Sequence, residues 1–293
     1  MTLAEVMAQV RLLEIRSRHL VKDILAGEYS SVFKGRGVAF ADVREYQYGD
    51  DVRTIDWRVT ARTGAAYVRR YVEERELTVL FVVDHSASEA FGSRVRSKAE
   101  LATEVCAVLA MTAVRNNDRV GAVLFSDRVE RFVPPNKGKR HVMRVIRELL
   151  AFEPEGWGTD LAAAVEFVNR VLRRRAVVFI VSDWRAAGYE RELEIAARRH
   201  DTIALQLSDP RERELPDLGL ITLRDPETGE WQYVDSSDPD VRRRLRERAA
   251  EFDAGLRRSL QRLGVDLIRL QTGDGYVAPL LSFFRRRERA LRH

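Results

Sequence analysis

Three short apolar runs, separated by helical segments, constrain the fold of this chain more than any other feature. The runs are Thr78–Val83, Val120–Phe125 and Ala176–Val181. Each is nearly continuous in Val, Leu, Ile and Phe, which is typical of a strand buried on both faces of a parallel sheet. Helices are predicted between and after these runs at 94–115, 139–151, 160–173 and 189–199. The alternation predicts an α/β fold with a doubly wound, mostly parallel sheet and helices on both faces.

The remaining segments of the main domain extend this pattern. Residues 129–133 follow a short turn and are predicted to form an antiparallel edge strand that ends at Pro134-Pro135. A hairpin with its turn at Asp225–Gly229 is predicted over residues 218–235. We expect a further strand at 201–207, a long helix at 239–263, a last strand at 265–270 and a final helix carrying Leu280, Leu281 and Phe284.

The composition excludes several classes of protein. The chain has 293 residues, of which 45% are hydrophobic and 32% charged. No apolar run is long enough to predict a membrane span, and the first residues lack the layout of a signal peptide. We therefore expect a cytoplasmic protein. Cys106 is the single cysteine, so it cannot form an intramolecular disulfide, and we expect it to be a buried, inert thiol.

The charge pattern does not point to nucleic acid. The net charge is +5, and the basic residues are spread along the chain except for a cluster at 285–289. A nucleic-acid-binding surface needs a basic stripe with interleaved aromatic residues or a known motif, and the sequence has neither. For the cluster at 285–289, a solvated helix end is the favoured interpretation, and a phosphate-binding arm is the alternative.

Changes in residue composition and hydrophobic periodicity divide the chain into three parts. Residues 1–27 have an imperfect helical stripe, and Gly27 is placed to end that helix. Residues 28–77, here called the collar, are dense in Gly, Arg, Asp and aromatic residues and are predicted to form a small, β-rich unit. We expect the collar to pack on the main domain with Trp57 largely buried. Residues 78–293 form that main domain, with a helical extension at its C-terminal end.

Polar side chains follow the ends of the predicted strands. Asp84, Ser86 and Ser88 come directly after the first strand, Thr159 and Asp160 open a helix, and Ser182-Asp183 ends a buried strand. Ligand sites in open α/β sheets form at the carboxyl ends of strands, and hard oxygen ligands suit Mg²⁺. Each motif alone is more often a turn or a helix cap. For Asp160 in particular, we expect a capping role.

The order and spacing of these motifs resemble the metal-ion-dependent adhesion site of von Willebrand factor A domains. A second resemblance lies in the collar, where Gly35-Arg36-Gly37 is followed by Gly49-Asp50-Asp51 and Ile55-Asp56-Trp57. This signature closely resembles that of the domain of unknown function 58 family of bacterial and archaeal proteins, over about residues 25–210. Members of that family join the signature to a von Willebrand factor A-like domain.

The resemblance implies a site and a partner. It implies that Ser86, Ser88 and Thr159 give hydroxyl oxygens to Mg²⁺, with Mn²⁺ or Ca²⁺ as alternatives, and that Asp84 and Asp183 act mainly through bound waters. One coordination position would stay open for a carboxylate of another protein. Family members are typically encoded beside MoxR-type AAA+ ATPases. The expected function is therefore a non-enzymatic interaction module, an adaptor or co-chaperone of such an ATPase that binds a client protein.

An enzymatic function is the main alternative. Asp84 after an apolar strand also begins the phosphatase motif of haloacid dehalogenases, but that chemistry needs a second Asp where this chain has Ser86. The sequence contains no Walker A motif and no nucleophile elbow beside a histidine. His85, within the first motif, is expected to be solvated. We predict no enzymatic activity, with a metal-dependent hydrolase using Asp84 as the alternative and a nucleic-acid-binding protein as a weaker one.

Overall fold

The computed structural model describes residues 8–9, 11–13, 26–33, 37–74, 76–92, 96–224 and 229–292. The strands in these ranges are β1 (Gly37–Glu45), β2 (Tyr67–Glu74), β3 (Thr78–Asp84), β4 (Arg119–Phe125), β5 (Val129–Asn136), β6 (Val177–Ser182), β7 (Asp201–Ser208), β8 (Leu220–Arg224), β9 (Trp231–Asp235) and β10 (Asp266–Gln271). The α-helices with defined bounds are α1 (Ala26–Val32), α2 (Trp57–Thr63), α3 (Lys98–Arg115), α4 (Lys139–Ala151), α5 (Leu161–Val171), α6 (Glu190–Arg199), α7 (Pro239–Leu263) and α8 (Val277–Arg292).

A six-stranded sheet forms the centre of the molecule. Its order is β10-β7-β6-β3-β4-β5, and every neighbouring pair is parallel except β4 and β5. Counted along the chain, these strands lie in the order 3-2-1-4-5-6, the doubly wound order whose direction reverses between the first and fourth strands. The predicted fold class is therefore confirmed. The reversal falls between β3 and β6, so a crevice is expected where these two strands end.

Two apolar layers cover the faces of this sheet. Side chains alternate along β3, so that Val79, Phe81 and Val83 join one layer while Leu80 and Val82 join the other. The first layer is completed by α1, α3, α4 and α8, and the second by α5, α6 and α7. Phe81 stacks on Phe179 of β6, with ring centroids 5.6 Å apart. Burial on both faces explains why these strands are continuous apolar runs rather than alternating ones.

Several predicted boundaries differ from the structure. Helix α1 runs through Gly27 to Val32, so Gly27 does not end a helix and the predicted division between residues 27 and 28 falls inside α1. Strand β5 continues through Pro134-Pro135 to Asn136, which an edge strand tolerates because one side of it needs no ladder bonds. Most of the helix predicted within residues 1–27 lies outside the described residues, as do Gly35-Arg36 of the collar signature and most of the turn at Asp225–Gly229.

The collar holds an antiparallel hairpin of β1 and β2, together with the short helix α2. Asp56 caps α2 by accepting hydrogen bonds from the backbone N–H groups of Arg58 and Val59, and it also pairs with Arg69 at 2.9 Å. Trp57 is 69% exposed, so its predicted burial is wrong. The reason is that the Asp56 cap starts the helix with its first side chain turned towards solvent. The signature acids thus shape turns and caps while its tryptophan stays at the surface.

The structure can be compared with three expectations drawn from the composition of the chain. No helix among the described residues is long and apolar enough to cross a bilayer. Cys106 is fully buried, as predicted, and burial raises the pKa of its thiol. The basic cluster near the C-terminal end is only partly solvated, because Arg285 pairs with Glu28 and Arg287 pairs with Asp201 and Asp266.

Candidate functional site

Asp84 joins the ends of the two strands that flank the topological switch point. It is the last residue of β3, and its side chain is 1% exposed. Its Oδ1 accepts a hydrogen bond from the backbone N–H of Ser86 at 2.8 Å, and its Oδ2 accepts one from the Ser182 hydroxyl at 2.7 Å. Both carboxylate oxygens are therefore engaged, and the loop after β3 is tied to the end of β6.

Ser86, Ser88 and Asp183 converge beside Asp84. The two serine hydroxyl oxygens lie 3.1 Å apart, and the Ser88 hydroxyl donates to Asp183 Oδ2 at 3.2 Å. Ser88 and Asp183 are 95 residues apart in the chain, so this contact depends on the sheet order. The structure thus brings together four of the five predicted site residues. All four lie at the carboxyl edge of the sheet, as the strand-end argument predicts.

The fifth predicted residue, Thr159, belongs to the loop between α4 and α5. This loop lies against the first motif, because the Ala87 N–H donates to the carbonyl of Trp157 at 3.1 Å. The neighbouring Asp160 accepts a hydrogen bond from the Ala163 N–H at 2.8 Å and caps α5, as predicted. Its own N–H donates to the Ser126 carbonyl at 2.7 Å. The loop that carries Thr159 is therefore held at the rim of the site by backbone contacts.

Two charged residues that the sequence reasoning did not select complete the buried cluster. Glu89 is fully buried, and its Oε1 accepts a hydrogen bond from the Asp183 N–H at 3.1 Å. Lys98 is 0% exposed, and its Nζ lies 2.9 Å from both Asp183 Oδ2 and Glu212 Oε1 and 3.9 Å from Glu89 Oε1. A signal for Lys98 was present, because it precedes Leu101 and Val105 on the buried stripe of α3.

The burial of this cluster shifts its proton equilibria. Loss of water raises the pKa of Asp84 to about 6 and holds the pKa of Glu89 well above its usual value. Burial alone would lower the pKa of Lys98, but the carboxylates of Glu89, Asp183 and Glu212 raise it above the ordinary range, so Lys98 stays an ammonium. The cluster therefore has more acidic groups than its one buried ammonium neutralises.

Asp183 is held by an unusual backbone next to it. Trp184 has a φ of +64°, a left-handed conformation that costs a non-glycine residue about 1 kcal/mol. Its side chain is buried, its indole N–H donates to the Leu205 carbonyl at 3.3 Å, and its backbone N–H donates to the Ser182 hydroxyl at 3.1 Å. Such a strained conformation persists where surrounding contacts hold it in place. Here the contacts of Trp184 hold the adjacent Asp183 in position within the cluster.

The residues present fit a hard divalent cation. Ligand oxygens of Asp84, Glu89 and Asp183 lie within 4.8 Å of one another, and two serine hydroxyls adjoin them. Among the described residues, no group donates a hydrogen bond to Glu89 Oε2, although this oxygen is buried. An unpaired, buried carboxylate oxygen in an acidic cluster is costly unless a cation or water reaches it. Oxygen donors of this kind suit Mg²⁺, Mn²⁺ or Ca²⁺.

His85 differs from its prediction. It is 8% exposed rather than solvated, because its ring packs edge-on against Phe152 at a centroid distance of 4.9 Å. Burial lowers its pKa to about 4, so the ring is neutral near pH 7. Its side chain is thus part of the packing under the first motif.

Strand order and the polar cluster at the switch point together are those of a von Willebrand factor A-like α/β domain. Within that class, the chain belongs to the family described as "Protein of unknown function DUF58", which matches residues 42–254. Uncharacterized proteins of Mycobacterium tuberculosis and Mycobacterium bovis are 33% identical to it over 285 residues, covering 96% of this chain and 90% of each relative.

Solved structures also resemble this chain. An aerotolerance-related membrane protein from Bacteroides fragilis is 16% identical, with a TM-score of 0.49, and covers 73% of this chain and 99% of its own. BatB from Bacteroides thetaiotaomicron is 14% identical, with a TM-score of 0.46, over 72% of this chain and 99% of its own. The SpRpn10 VWA domain is 11% identical, with a TM-score of 0.39, over 71% and 95%.

Proposed function

We propose that this protein is a non-enzymatic, Mg²⁺-dependent interaction module that binds an acidic residue of a partner protein at the carboxyl edge of its sheet. In this proposal it serves in the cytoplasm as an adaptor or co-chaperone of a MoxR-type AAA+ ATPase. The observation that carries the proposal is the convergence of Asp84, Ser86, Ser88 and Asp183 at the switch point, beside an unpaired carboxylate oxygen of Glu89.

The division of roles follows from the contacts. The hydroxyls of Ser86 and Ser88 are neutral donors that would face the ion, with Thr159 at the rim. Asp84 is locked by Ser86 and Ser182, and Asp183 is held by Lys98 and Ser88, so both carboxylates keep fixed positions. A bound Mg²⁺ would supply an electrophilic centre with an open position for a carboxylate. Surface contacts around the site would then add affinity and select the partner.

The choice of partner rests on the family. The collar signature identifies the chain with proteins whose genes typically accompany MoxR-type ATPases, and the collar presents exposed side chains such as Trp57 and Tyr48. An exposed tryptophan and tyrosine beside a salt-bridged hairpin are of the residue types that are enriched in interfaces. The collar is therefore a second surface at which an ATPase or a client would contact this protein.

The hydrolase alternative fits the geometry less well. Both oxygens of Asp84 accept hydrogen bonds, and the residue is almost fully buried, so it is poorly placed to attack a phosphate. The phosphatase motif also needs a second Asp as general acid two residues after Asp84, and this chain has Ser86 at that position. A nucleic-acid-binding role would rest on net charge alone.

Affinity capture tests the proposal. The tagged full-length protein is incubated with its native lysate in Mg²⁺ or in EDTA, together with an Asp84→Asn variant. Asp127→Asn is the matched control, since Asp127 is a half-exposed carboxylate on the neighbouring loop with the same charge. We expect an AAA+ ATPase or a client to be captured only in Mg²⁺, by wild type and Asp127→Asn alone. Equal capture in EDTA would contradict the metal-bridged mechanism, and phosphatase turnover lost in Asp84→Asn would favour the enzyme.

A further inference from the structure

Lys98 occupies an unexpected position for a lysine. Its ammonium lies in the interior of the acidic cluster, bonded to Asp183 Oδ2, the same oxygen to which the Ser88 hydroxyl donates. The residue is placed there by the start of α3, where Ser97 and Glu100 form a capping box that fixes the helix end beneath the loop after β3. A side chain buried to this degree on a capped helix has little freedom to leave.

The charges of the cluster are not balanced by Lys98 alone. Asp84, Glu89 and Asp183 are buried together, and Glu212 reaches the ammonium from the short helical turn after β7. Within the described part of the chain, Lys98 is the one cationic side chain that forms ion pairs with these carboxylates. A divalent cation would offset the remaining negative charge, but it would do so within a few ångströms of a fixed ammonium that repels it.

We propose that Lys98 is a resident cation that sets the affinity of this site for a divalent ion. This inference rests on the proposed function, since it concerns the same cation site. Lys98 neutralises enough of the cluster for the metal-free protein to stay folded, and it opposes the entry of a second cation. The ion is consequently held weakly by the protein alone, and a carboxylate from the partner makes its binding tight. Lys98 thereby couples metal binding to partner binding.

The test compares wild type with Lys98→Met, which removes the charge and keeps an unbranched side chain of similar length. Mn²⁺ binding to the full-length protein is measured by the loss of its free electron paramagnetic resonance signal. The midpoint of thermal unfolding is measured with EDTA and with Mg²⁺. We expect Lys98→Met to unfold at a lower temperature in EDTA, to bind Mn²⁺ about tenfold more tightly or better, and to gain more from Mg²⁺ than wild type does.

If Lys98→Met does not fold, a second pair of variants tests the role of Lys98. Glu212→Gln replaces one anionic partner of the ammonium by a neutral amide at a partly exposed position, so fewer carboxylates offset the charge of Lys98 and it opposes the ion more strongly. We expect Mn²⁺ binding to weaken several-fold. Glu214→Gln is the matched control on the same segment, because its exposed carboxylate lies 3.5 Å from Arg246 rather than near Lys98. We expect its affinity for Mn²⁺ to equal that of wild type.

The outcomes separate the two proposals. Equal or weaker Mn²⁺ binding in Lys98→Met, or unchanged binding in Glu212→Gln, would overturn the role of Lys98 while leaving the cation site in place. If neither wild type nor Lys98→Met binds Mn²⁺, and Asp84→Asn behaves like both, the cation site itself is wrong. Recovery of folded Lys98→Met only in the presence of a divalent cation would support the proposal, since the ion then replaces the missing charge.

Discussion

An aspartate is buried at each end of the central sheet, and the two aspartates have different surroundings. At the amino end, Asp118 accepts hydrogen bonds from the Tyr29 hydroxyl at 3.0 Å and from the Leu77 N–H at 2.9 Å. At the carboxyl end, Asp84 is also bonded through both oxygens. Burial raises the pKa of each to about 6. The difference lies in the neighbours, because Asp84 shares its surroundings with Glu89 and Asp183.

This difference separates a polar group that completes the fold from a cluster at which we propose that a cation binds. Asp118 joins α1 to the sheet, and both of its hydrogen bonds serve this structural link. The cluster at the carboxyl end keeps an unpaired carboxylate oxygen and surplus charge, which a protein tolerates where binding requires them. Substitutions should therefore cost stability at the amino end and cost binding at the carboxyl end.

We expect the greatest loss of stability from a substitution at the amino end of the sheet. Asp118→Ala leaves the Tyr29 hydroxyl and the Leu77 N–H without their buried acceptor, so the free energy of unfolding should fall by about 3 kcal/mol. Urea unfolding of the full-length protein measures this. Asp217→Ala, which removes an exposed carboxylate, is the control and should be close to neutral. A loss below about 1 kcal/mol for Asp118→Ala would contradict a structural role for this carboxylate.

Acid should destabilise the amino end of the sheet through His200, a buried residue just before β7. Burial lowers its pKa from 6.5 to about 4, and neither ring nitrogen has a hydrogen-bond partner among the described residues. Below pH 6.5 the unfolded chain takes up a proton that the folded chain refuses, so stability falls as the pH drops towards 4. At pH 4.5 this costs about 2.5 kcal/mol.

The measurement compares the unfolding free energies of wild type and His200→Leu from pH 7 to 4.5. Wild type should lose more stability than the variant over this range, because only wild type has the buried imidazole. Parallel pH curves for the two proteins would show that His200 is protonated equally in the folded and unfolded states.

At the carboxyl end, Glu89→Gln should act in the opposite direction on stability. It replaces a buried carboxyl group whose ionised form is opposed by burial and whose Oε2 lacks a hydrogen bond, so the metal-free protein should gain about 1 kcal/mol. The same change should weaken Mn²⁺ binding several-fold. Glu155→Gln, at an exposed position near the rim, should change neither quantity. Destabilisation by Glu89→Gln would mean that the carboxylate is needed mainly as the partner of Lys98.

The smallest expected effect concerns the collar. Trp57→Ala should change the free energy of unfolding by less than about 0.5 kcal/mol, since most of this side chain is in contact with water. Val68→Ala, in the buried part of the same hairpin, should cost about 2 kcal/mol. Thermal unfolding of the two variants provides the test. A large loss of unfolding free energy in Trp57→Ala would mean that this side chain packs in the interior, as the sequence predicted.

The sequence predicted the sheet well because its signal is local. Strands buried on both faces must be apolar throughout, and β3, β4 and β6 are. The residues Asp84, Ser86, Ser88 and Asp183 could be assembled for a similar reason, since parallel strands end at the same edge. Glu89 and Lys98 were not selected from the sequence, although Lys98 lies on the buried stripe of α3, because Glu and Lys side chains are usually solvated. Only the packing of α3 under the loop after β3 buries them.

The collar was harder to predict because its acids serve local geometry. Asp50 accepts hydrogen bonds from Arg44 and the Gln47 N–H, and Asp56 caps α2. A dense signature of this kind indicates turns, and it carries no information about which side of the segment faces solvent.

The packing of α1 against α8 has a consequence for the synthesis of the chain. Phe33 and Phe284 meet edge to face with their ring centroids 5.9 Å apart, although 251 positions separate them in the sequence. Both belong to the same apolar layer of the sheet. Since translation adds residues in order, that layer stays open to water until α8 has left the ribosome. A nascent chain of this protein therefore exposes an apolar surface throughout the synthesis of the 251 positions that separate Phe33 from Phe284.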